Sequence, residues 1–98
     1  MAHRVAPQAK SDLDEIWYFV AIQSGSTEIA GRLIENITDR FLLLSRFPEI
    51  GRGRDEELRP GLRSFSVGAY LIFYRIEGDE VLVLRVIHGS RDIERFSW

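Results

Sequence analysis

Hydrophobic residues in the first half of the chain recur at intervals of three and four, which is the period of an amphipathic α-helix. A short extended run from His3 to Ala6 precedes Pro7, whose fixed φ and missing N–H suit the first turn of a helix. This helix is predicted to end at Ser24-Gly25-Ser26, because glycine permits a helix stop and serine can cap the next helix. The apolar positions of its buried face are Ala9, Leu13, Ile16, Trp17 and Val20, and the polar positions opposite are Asp12, Asp14 and Glu15.

A second apolar stripe alternates intervals of four and three, and it predicts a helix that packs antiparallel on the first. Its members are Ala30, Ile34, Ile37, Phe41 and Leu44. The helix is predicted to end at Phe47-Pro48, because the residue before a proline is driven away from helical dihedral angles. Glycine, proline and charged residues predominate from Glu49 to Leu62, which indicates a loop with turns.

The second half changes to β-branched and aromatic residues, which indicate β-strands. Phe65 and Val67 alternate with serines, and two longer runs, Tyr70 to Ile76 and Val81 to His88, flank Gly78-Asp79. A tight turn at Gly78-Asp79 therefore predicts an antiparallel hairpin.

The register of this hairpin decides which side chains share a face of the sheet. The turn places Leu71 opposite Val86 and Ile72 opposite Arg85. One face then carries Leu71, Phe73, Leu82, Leu84 and Val86, and the other carries Tyr70, Ile72, Tyr74, Val81, Val83 and Ile87. Both faces are apolar, whereas an antiparallel sheet commonly leaves one face wet. The helical hairpin covers one face, and the other requires the tail from Asp92 to Trp98, a second copy or a partner segment.

Composition limits the chain to one domain spanning residues 1–98. The absence of cysteine excludes disulfides and thiolate metal sites, and no apolar run is long enough for a membrane span, so we expect a cytoplasmic protein. The net charge of −2 argues against bulk electrostatic binding of polyanions. Twelve of the thirteen basic residues are arginine, which is consistent either with ordinary surface ion pairs or with a functional concentration of arginine.

No motif of nucleotide binding, nucleophilic catalysis or zinc coordination is present. His3 and His88 lie at opposite ends of the chain without an acidic cluster near either in sequence, so we expect no metal site and no cofactor. We expect His88, which closes a strand before Gly89, to be structural rather than catalytic.

Four short segments resemble a known family in their order and spacing. They are Phe47-Pro48-Glu49-Ile50-Gly51-Arg52, Leu58-Arg59-Pro60-Gly61-Leu62-Arg63-Ser64, Tyr70-Leu71-Ile72-Phe73-Tyr74-Arg75 and His88-Gly89-Ser90-Arg91-Asp92. The chain resembles the ParE branch of the RelE/ParE toxins, which includes plasmid stabilisation toxins. The resemblance implies an α+β fold of order β-α-α-β-β-β, with the helical hairpin on a mainly antiparallel sheet of three to four strands. It also implies the toxin of a type II toxin–antitoxin system, which inhibits DNA gyrase by binding and is neutralised by a ParD-like antitoxin.

The ribonuclease relatives in this superfamily use cationic and aromatic side chains to cleave mRNA on the ribosome. Their C-terminal arginine corresponds to Arg91 here, but their middle-strand arginine falls on Leu71 and their tyrosine falls near Ser97. Of their lysines, only Arg63 preserves a basic charge. We therefore expect no catalytic residues, and the alternative of a ribosome-dependent endoribonuclease rests on Arg91, Arg63 and His88. A third interpretation is a non-toxic relative that still binds antitoxin.

For a binding toxin the sequence offers two sets of contact residues. The set predicted to contact the target is Arg91, Arg95, Phe96, Trp98 and Arg63, because arginine and tryptophan dominate interface hot spots. The set predicted to contact the antitoxin is Leu71, Phe73, Arg75 and Arg85. We expect neither a membrane nor a specific nucleic-acid sequence to be a direct partner.

Overall fold

The computed structural model describes residues 1–56 and 58–95. Its elements are β1 (Ala2–Val5), α1 (Pro7–Ser24), α2 (Thr27–Arg46), β2 (Arg52–Gly53), β3 (Arg63–Val67), β4 (Tyr70–Glu77), β5 (Glu80–His88) and a 3-10 turn (Ile93–Arg95). The predicted α+β class is confirmed, as is the order of an N-terminal strand, two helices and then strands. In the described part of the chain, no helix combines the length and apolar character that a membrane crossing requires.

The sheet has five strands in the order β1-β5-β4-β3-β2, so the prediction of three to four strands was too low. β1 runs parallel to β5, and the other neighbours are antiparallel. The additional strand, β2, lies in the segment predicted as a loop and pairs Arg52 with Ser64 and Gly53 with Arg63. Two residues are too few to show a hydrophobic alternation, and only the pairing with β3 makes them a strand.

The two helices begin and end close to the predicted residues. α1 ends at Ser24, and Gly25 follows with the left-handed φ of 69° that lets the chain turn. Ser26 caps α2, and its hydroxyl accepts a hydrogen bond from the Ile29 N–H at 3.2 Å. The predicted stripe of α2 is confirmed as core, since Ala30, Ile37, Phe41 and Leu44 are buried and Ile34 packs against them.

The buried face of α1 differs from the prediction at two positions. Asp12, which was assigned to the polar side, is buried together with Ala9 and Ile16. These three residues are spaced by three and four, so they share one side of the helix. Trp17, which was assigned to the core, remains 37% exposed.

The β4–β5 hairpin has the predicted turn, but its register changes within the ladder. Tyr74 pairs with Val83 as predicted, whereas a β-bulge between Phe73 and Tyr74 makes Phe73 pair with Arg85. Beyond the bulge Ile72 opposes Val86, so the predicted pairs of Leu71 with Val86 and Ile72 with Arg85 are each wrong by one residue. A single extra residue moves every following side chain to the other face.

Both faces of the sheet are apolar, as predicted, and each has its own cover. Because of the bulge, Val86 joins the core under the helices, and Ile87 joins the opposite face. That second cluster centres on Leu62, Phe73 and Ile87, with partly buried residues around them: Leu58, Leu71, Leu84 and Ile93. The loop before β3 and the 3-10 turn thus cover the centre of this face.

Candidate functional site

A cavity of about 560 Å³ lies between α1 and the end of the β4–β5 hairpin. Its lining residues are Asp12, Glu15, Ile16 and Phe19 of α1, Tyr70 of β4, Arg85, Val86, Ile87 and His88 of β5, and Ser90 and Arg91 of the segment that follows. The cavity combines aromatic rings with charges of both signs, which is the composition expected of a binding site.

One wall of this cavity is an ion pair that joins α1 to β5. Arg85 Nε donates to Asp12 Oδ2 at 2.8 Å, and Arg85 Nη2 donates to Asp12 Oδ1 at 2.9 Å. The Val86 N–H donates to Asp12 Oδ2 at 2.9 Å, next to the bulge. The hydrogen bonds to Asp12 raise the pKa of the Arg85 guanidinium above its ordinary value. Sequence reasoning missed Asp12, although its spacing from Ala9 and Ile16 would have placed it on the buried face.

The mouth of the cavity is shaped by the turn that follows β5. The His88 ring stands edge-on against Tyr70, with ring centroids 5.2 Å apart. His88 Nδ1 accepts from the Ser90 N–H at 3.1 Å, and the Ser90 hydroxyl lies 2.7 Å from the same nitrogen. Because Nδ1 accepts from an amide, the neutral ring carries its proton on Nε2. The Gly89 and Arg91 N–H groups donate to the carbonyls of Ala69 and His88, which fixes the backbone that carries Arg91.

Arg63 lies in a different part of the sheet, where it binds the backbone of the segment between α2 and β2. Its Nη1 donates to the Gly51 carbonyl at 2.9 Å and to the Glu49 carbonyl at 3.2 Å. Tyr74 assists from the neighbouring strand: its hydroxyl donates to the Pro48 carbonyl at 2.7 Å and accepts from the Gly51 N–H at 2.9 Å. Together they hold the segment between α2 and β2 against the sheet.

The three residues of the ribonuclease alternative do not converge. His88 and Arg91 share the cavity, and His88 pairs with Tyr70 at one end of the hairpin. Arg63 pairs with Tyr74, four residues further along β4, which corresponds to a separation of about 13 Å along the strand.

Of the residues predicted to contact a target, the structure describes three. Arg91 and Arg95 both follow β5 in the chain, and the Arg95 Nε is paired with Asp92 at 3.0 Å on the surface. Arg63 is separated from them, and Phe96 and Trp98 lie outside the described residues.

Of the residues predicted to contact an antitoxin, Leu71, Phe73 and Arg75 share one side of β4, and Arg85 does not. Leu71 is half-buried at the margin of the second cluster, and Arg75 is paired with Glu77. Phe73 is 0% exposed and has no surface to offer, because it forms the centre of that cluster. Arg85 points toward α1, where it binds Asp12. The β-bulge explains the orientation of Arg85, because it turns this side chain away from the face on which its pairing partner Phe73 lies.

Comparison with known proteins places this geometry in a family. Residues 4–93 match the sequence model described as "ParE toxin of type II toxin-antitoxin system, parDE". Toxin ParE3 of Caulobacter vibrioides is 38% identical over 82 residues, which cover 84% of this chain and 80% of that toxin.

Two solved structures share the fold. The structure titled "Chromosomal ParDE TA system from P. aeruginosa" superimposes with a TM-score of 0.80 at 25% identity, covering 92% of this chain and 97% of that one. The toxin-antitoxin complex RelBE2 of Mycobacterium tuberculosis has a TM-score of 0.61 at 28% identity, covering 89% and 95%.

Proposed function

Since this chain belongs to the ParE family of toxins of type II toxin–antitoxin systems, we propose that it inhibits DNA gyrase by binding and that a ParD-like antitoxin neutralises it. On this proposal the protein acts in the cytoplasm and carries out no catalysis of its own. Its chemistry is that of recognition, in which a rigid scaffold presents charged and aromatic side chains to another protein.

One observation supports this proposal: the cationic side chains that RNA cleavage would require lie apart from one another. Stabilising a pentacovalent phosphate needs cations that converge on one point. Here Leu71 stands at the middle-strand position, and Arg63 is bound to backbone carbonyls about 13 Å along the strand from the level of His88. A binding toxin needs no such convergence.

The proposed gyrase contact is the segment after β5. Arg91 lines the cavity, Arg95 follows it by four residues, and both residues are exposed, so this segment offers two arginines to a partner. Arginine is enriched at interface hot spots because its planar fork binds carboxylates and stacks on aromatic rings. We assign Phe96 and Trp98 to the same surface from the sequence alone.

The proposed antitoxin contact is the face of the sheet opposite the helices. Leu71 and Leu84 are half-buried at the margin of the second cluster, and β4 directs Arg75 to the same side as Leu71. An apolar antitoxin segment would complete the burial of this margin. Phe73 supports the surface from beneath and makes no direct contact.

A second candidate function is a ribosome-dependent endoribonuclease. The observation that favours it is the placement of His88 and Arg91 in one cavity with the ring of Tyr70. In this alternative Arg91 neutralises the phosphate charge, and Tyr70 stacks on a base. The third candidate is a relative that binds antitoxin without being toxic. In that case only the antitoxin-binding surface would be functional.

A reconstituted assay separates these candidates. Purified protein is added to DNA gyrase with relaxed plasmid, and separately to ribosomes programmed with a short mRNA. We expect supercoiling to stop, cleaved DNA to accumulate and the mRNA to remain intact, with activity restored by added antitoxin. Cleavage of the mRNA at ribosome-occupied codons, with supercoiling unaffected, would establish the endoribonuclease. Inactivity in both reactions, together with tight antitoxin binding, would establish the non-toxic relative.

A further inference from the structure

Three adjacent large apolar side chains are exposed near the C-terminal end of α1. Tyr18, Phe19 and Ile22 are 64%, 59% and 61% exposed. Ile22 follows Tyr18 by four residues and Phe19 by three, so the three side chains occupy one side of the helix. We refer to Tyr18, Phe19 and Ile22 as the α1 ledge.

The side chains of the α1 ledge are not the ones through which α1 packs on the rest of the protein. α1 packs on α2 and the sheet through Ala9, Asp12 and Ile16, together with Leu13 and Val20. Single exposed apolar residues are ordinary on protein surfaces, but a contiguous group with a polar rim marks an interaction site. Two of the three ledge residues are aromatic, and tyrosine is among the residues enriched in interface hot spots.

The rim of the α1 ledge is acidic. Asp14 and Glu15 are exposed, and they lie four residues before Tyr18 and Phe19 on the same side of the helix. These two carboxylates and the three ledge residues line one shallow concavity. A partner that fits it must therefore combine apolar side chains with positive charge.

We infer that the α1 ledge docks an amphipathic helix of a protein partner, with lysine or arginine beside its apolar stripe. The segment from Asp14 to Ile22 is about 12 Å long, so it matches two turns of a facing helix. Side chains of a helix pack into the grooves of another helix, which suits an exposed helical ridge of this length. The acidic rim selects a cationic helix and repels anionic lipid headgroups.

The α1 ledge is separate from the surfaces proposed above for gyrase and antitoxin. It includes none of their residues, although Glu15 and Phe19 also line the cavity that Arg91 lines. A helix docked on the ledge therefore extends toward that cavity without depending on which target the toxin binds.

Two synthetic helices of about 18 residues test this inference on the full chain. Both carry the same leucine stripe, one flanked by lysines and the other by glutamates. Binding is measured by isothermal titration calorimetry at several temperatures and salt concentrations. We expect the lysine helix to bind at least about tenfold more tightly than the glutamate helix, with a negative heat-capacity change and weaker binding at high salt.

Paired variants assign the binding to the α1 ledge. Tyr18→Ala with Ile22→Ala removes the apolar contact, and Asp14→Asn with Glu15→Gln removes the charge. Each pair should weaken the lysine helix by about tenfold or more. The matched control is Leu42→Ala with Asp39→Asn, an exposed apolar and acidic pair on α2, which should change nothing. A thermal melt of each variant establishes that it is folded.

Equal binding of both helices, or equal binding by folded ledge variants and wild type, would overturn the inference. It would also be overturned if the wild-type chain self-associates and the Tyr18→Ala, Ile22→Ala variant is monomeric, because a second copy would then occupy the ledge. Binding to anionic vesicles in preference to the lysine helix would likewise refute it. These outcomes are independent of the gyrase assay, since neither peptide takes part in supercoiling.

Discussion

Asp12 of α1 and Arg85 of β5 form a bidentate ion pair that fastens the helical hairpin to the sheet at the β-bulge. Both side chains are largely buried, and the Asp12 carboxylate also accepts the Val86 N–H. A buried pair of this kind is costly to break, because the remaining partner keeps an uncompensated charge away from water.

We predict that Asp12→Ala lowers the free energy of unfolding by about 3 kcal/mol, since it leaves Arg85 and the Val86 N–H without their acceptor. Urea denaturation measures the change. The double variant Asp12→Leu, Arg85→Met removes both charges, so it should lower the free energy of unfolding by clearly less than Asp12→Ala alone. The exposed pair of Glu28 and Arg32 is the control, and Glu28→Ala should cost no more than about 0.5 kcal/mol.

We predict that ionisation of Tyr74 destabilises the folded protein at alkaline pH. Burial raises the pKa of Tyr74 above its ordinary value, so the folded state retains the phenolic proton longer than the unfolded state does. The protonated Tyr74 therefore makes its full contribution to the free energy of unfolding below about pH 10, which is the pKa of tyrosine in the unfolded state. This contribution is lost as the pH rises through the pKa of Tyr74 in the folded state. Tyr74→Phe should remove this part of the pH dependence and cost about 1 to 2 kcal/mol at neutral pH, because the Gly51 N–H loses its acceptor.

Urea denaturation from pH 8 to about pH 11 checks this prediction by comparing wild type with Tyr74→Phe. Tyr18→Phe is the matched control, because this tyrosine is exposed on the α1 ledge. An identical alkaline loss in wild type and in Tyr74→Phe would contradict the assignment to Tyr74.

Two glycine substitutions should have opposite effects. A Cβ at Gly51 would lie 2.4 Å from Tyr74 Oη and 2.8 Å from the Ser64 carbonyl oxygen, and the backbone of β3 cannot move away cheaply. Gly51→Ala should therefore destabilise the protein by about 2 kcal/mol or more. Gly31 lies inside α2 with open space around it, so Gly31→Ala should stabilise by about 0.5 to 1 kcal/mol. Thermal melts distinguish the two directions.

Arg91→Ala tests the surface proposed for gyrase. We expect gyrase inhibition to fall by about thirtyfold, corresponding to a hot-spot loss of about 2 kcal/mol, while antitoxin affinity changes little. Supercoiling titrations and an antitoxin pull-down measure the two effects. Arg32→Ala, an exposed arginine on α2, is the control and should inhibit like wild type. Full inhibition by a folded Arg91→Ala variant would exclude this surface.

Leu71→Glu tests the surface proposed for the antitoxin. A charge at the margin of the second cluster should weaken antitoxin binding by about tenfold or more, because an apolar contact is replaced by a carboxylate that must be desolvated. Calorimetry should also show a smaller negative heat-capacity change. Leu42→Glu, on the exposed side of α2, provides the comparison and should leave both quantities unchanged.

The sequence by itself determined the elements that local chemistry controls. The stripe from Ala30 to Leu44 specifies α2, Pro7 and Gly25 set the limits of α1, and the Gly78-Asp79 turn specifies the hairpin. Each of these signals depends on residues within a few positions of one another, so no tertiary contact was needed to interpret them.

The tertiary structure decided where those elements place their functional groups. The bulge that exchanges the faces of Val86 and Ile87 lies where Asp12, 74 residues away, accepts the Val86 N–H, and no local pattern in β5 reveals it. The position of Arg63 depends in the same way on the carbonyls of Glu49 and Gly51, which Tyr74 holds in place. Long-range hydrogen bonds set the register and the direction of these side chains, because a one-residue shift exchanges the two faces of a strand while its composition stays the same.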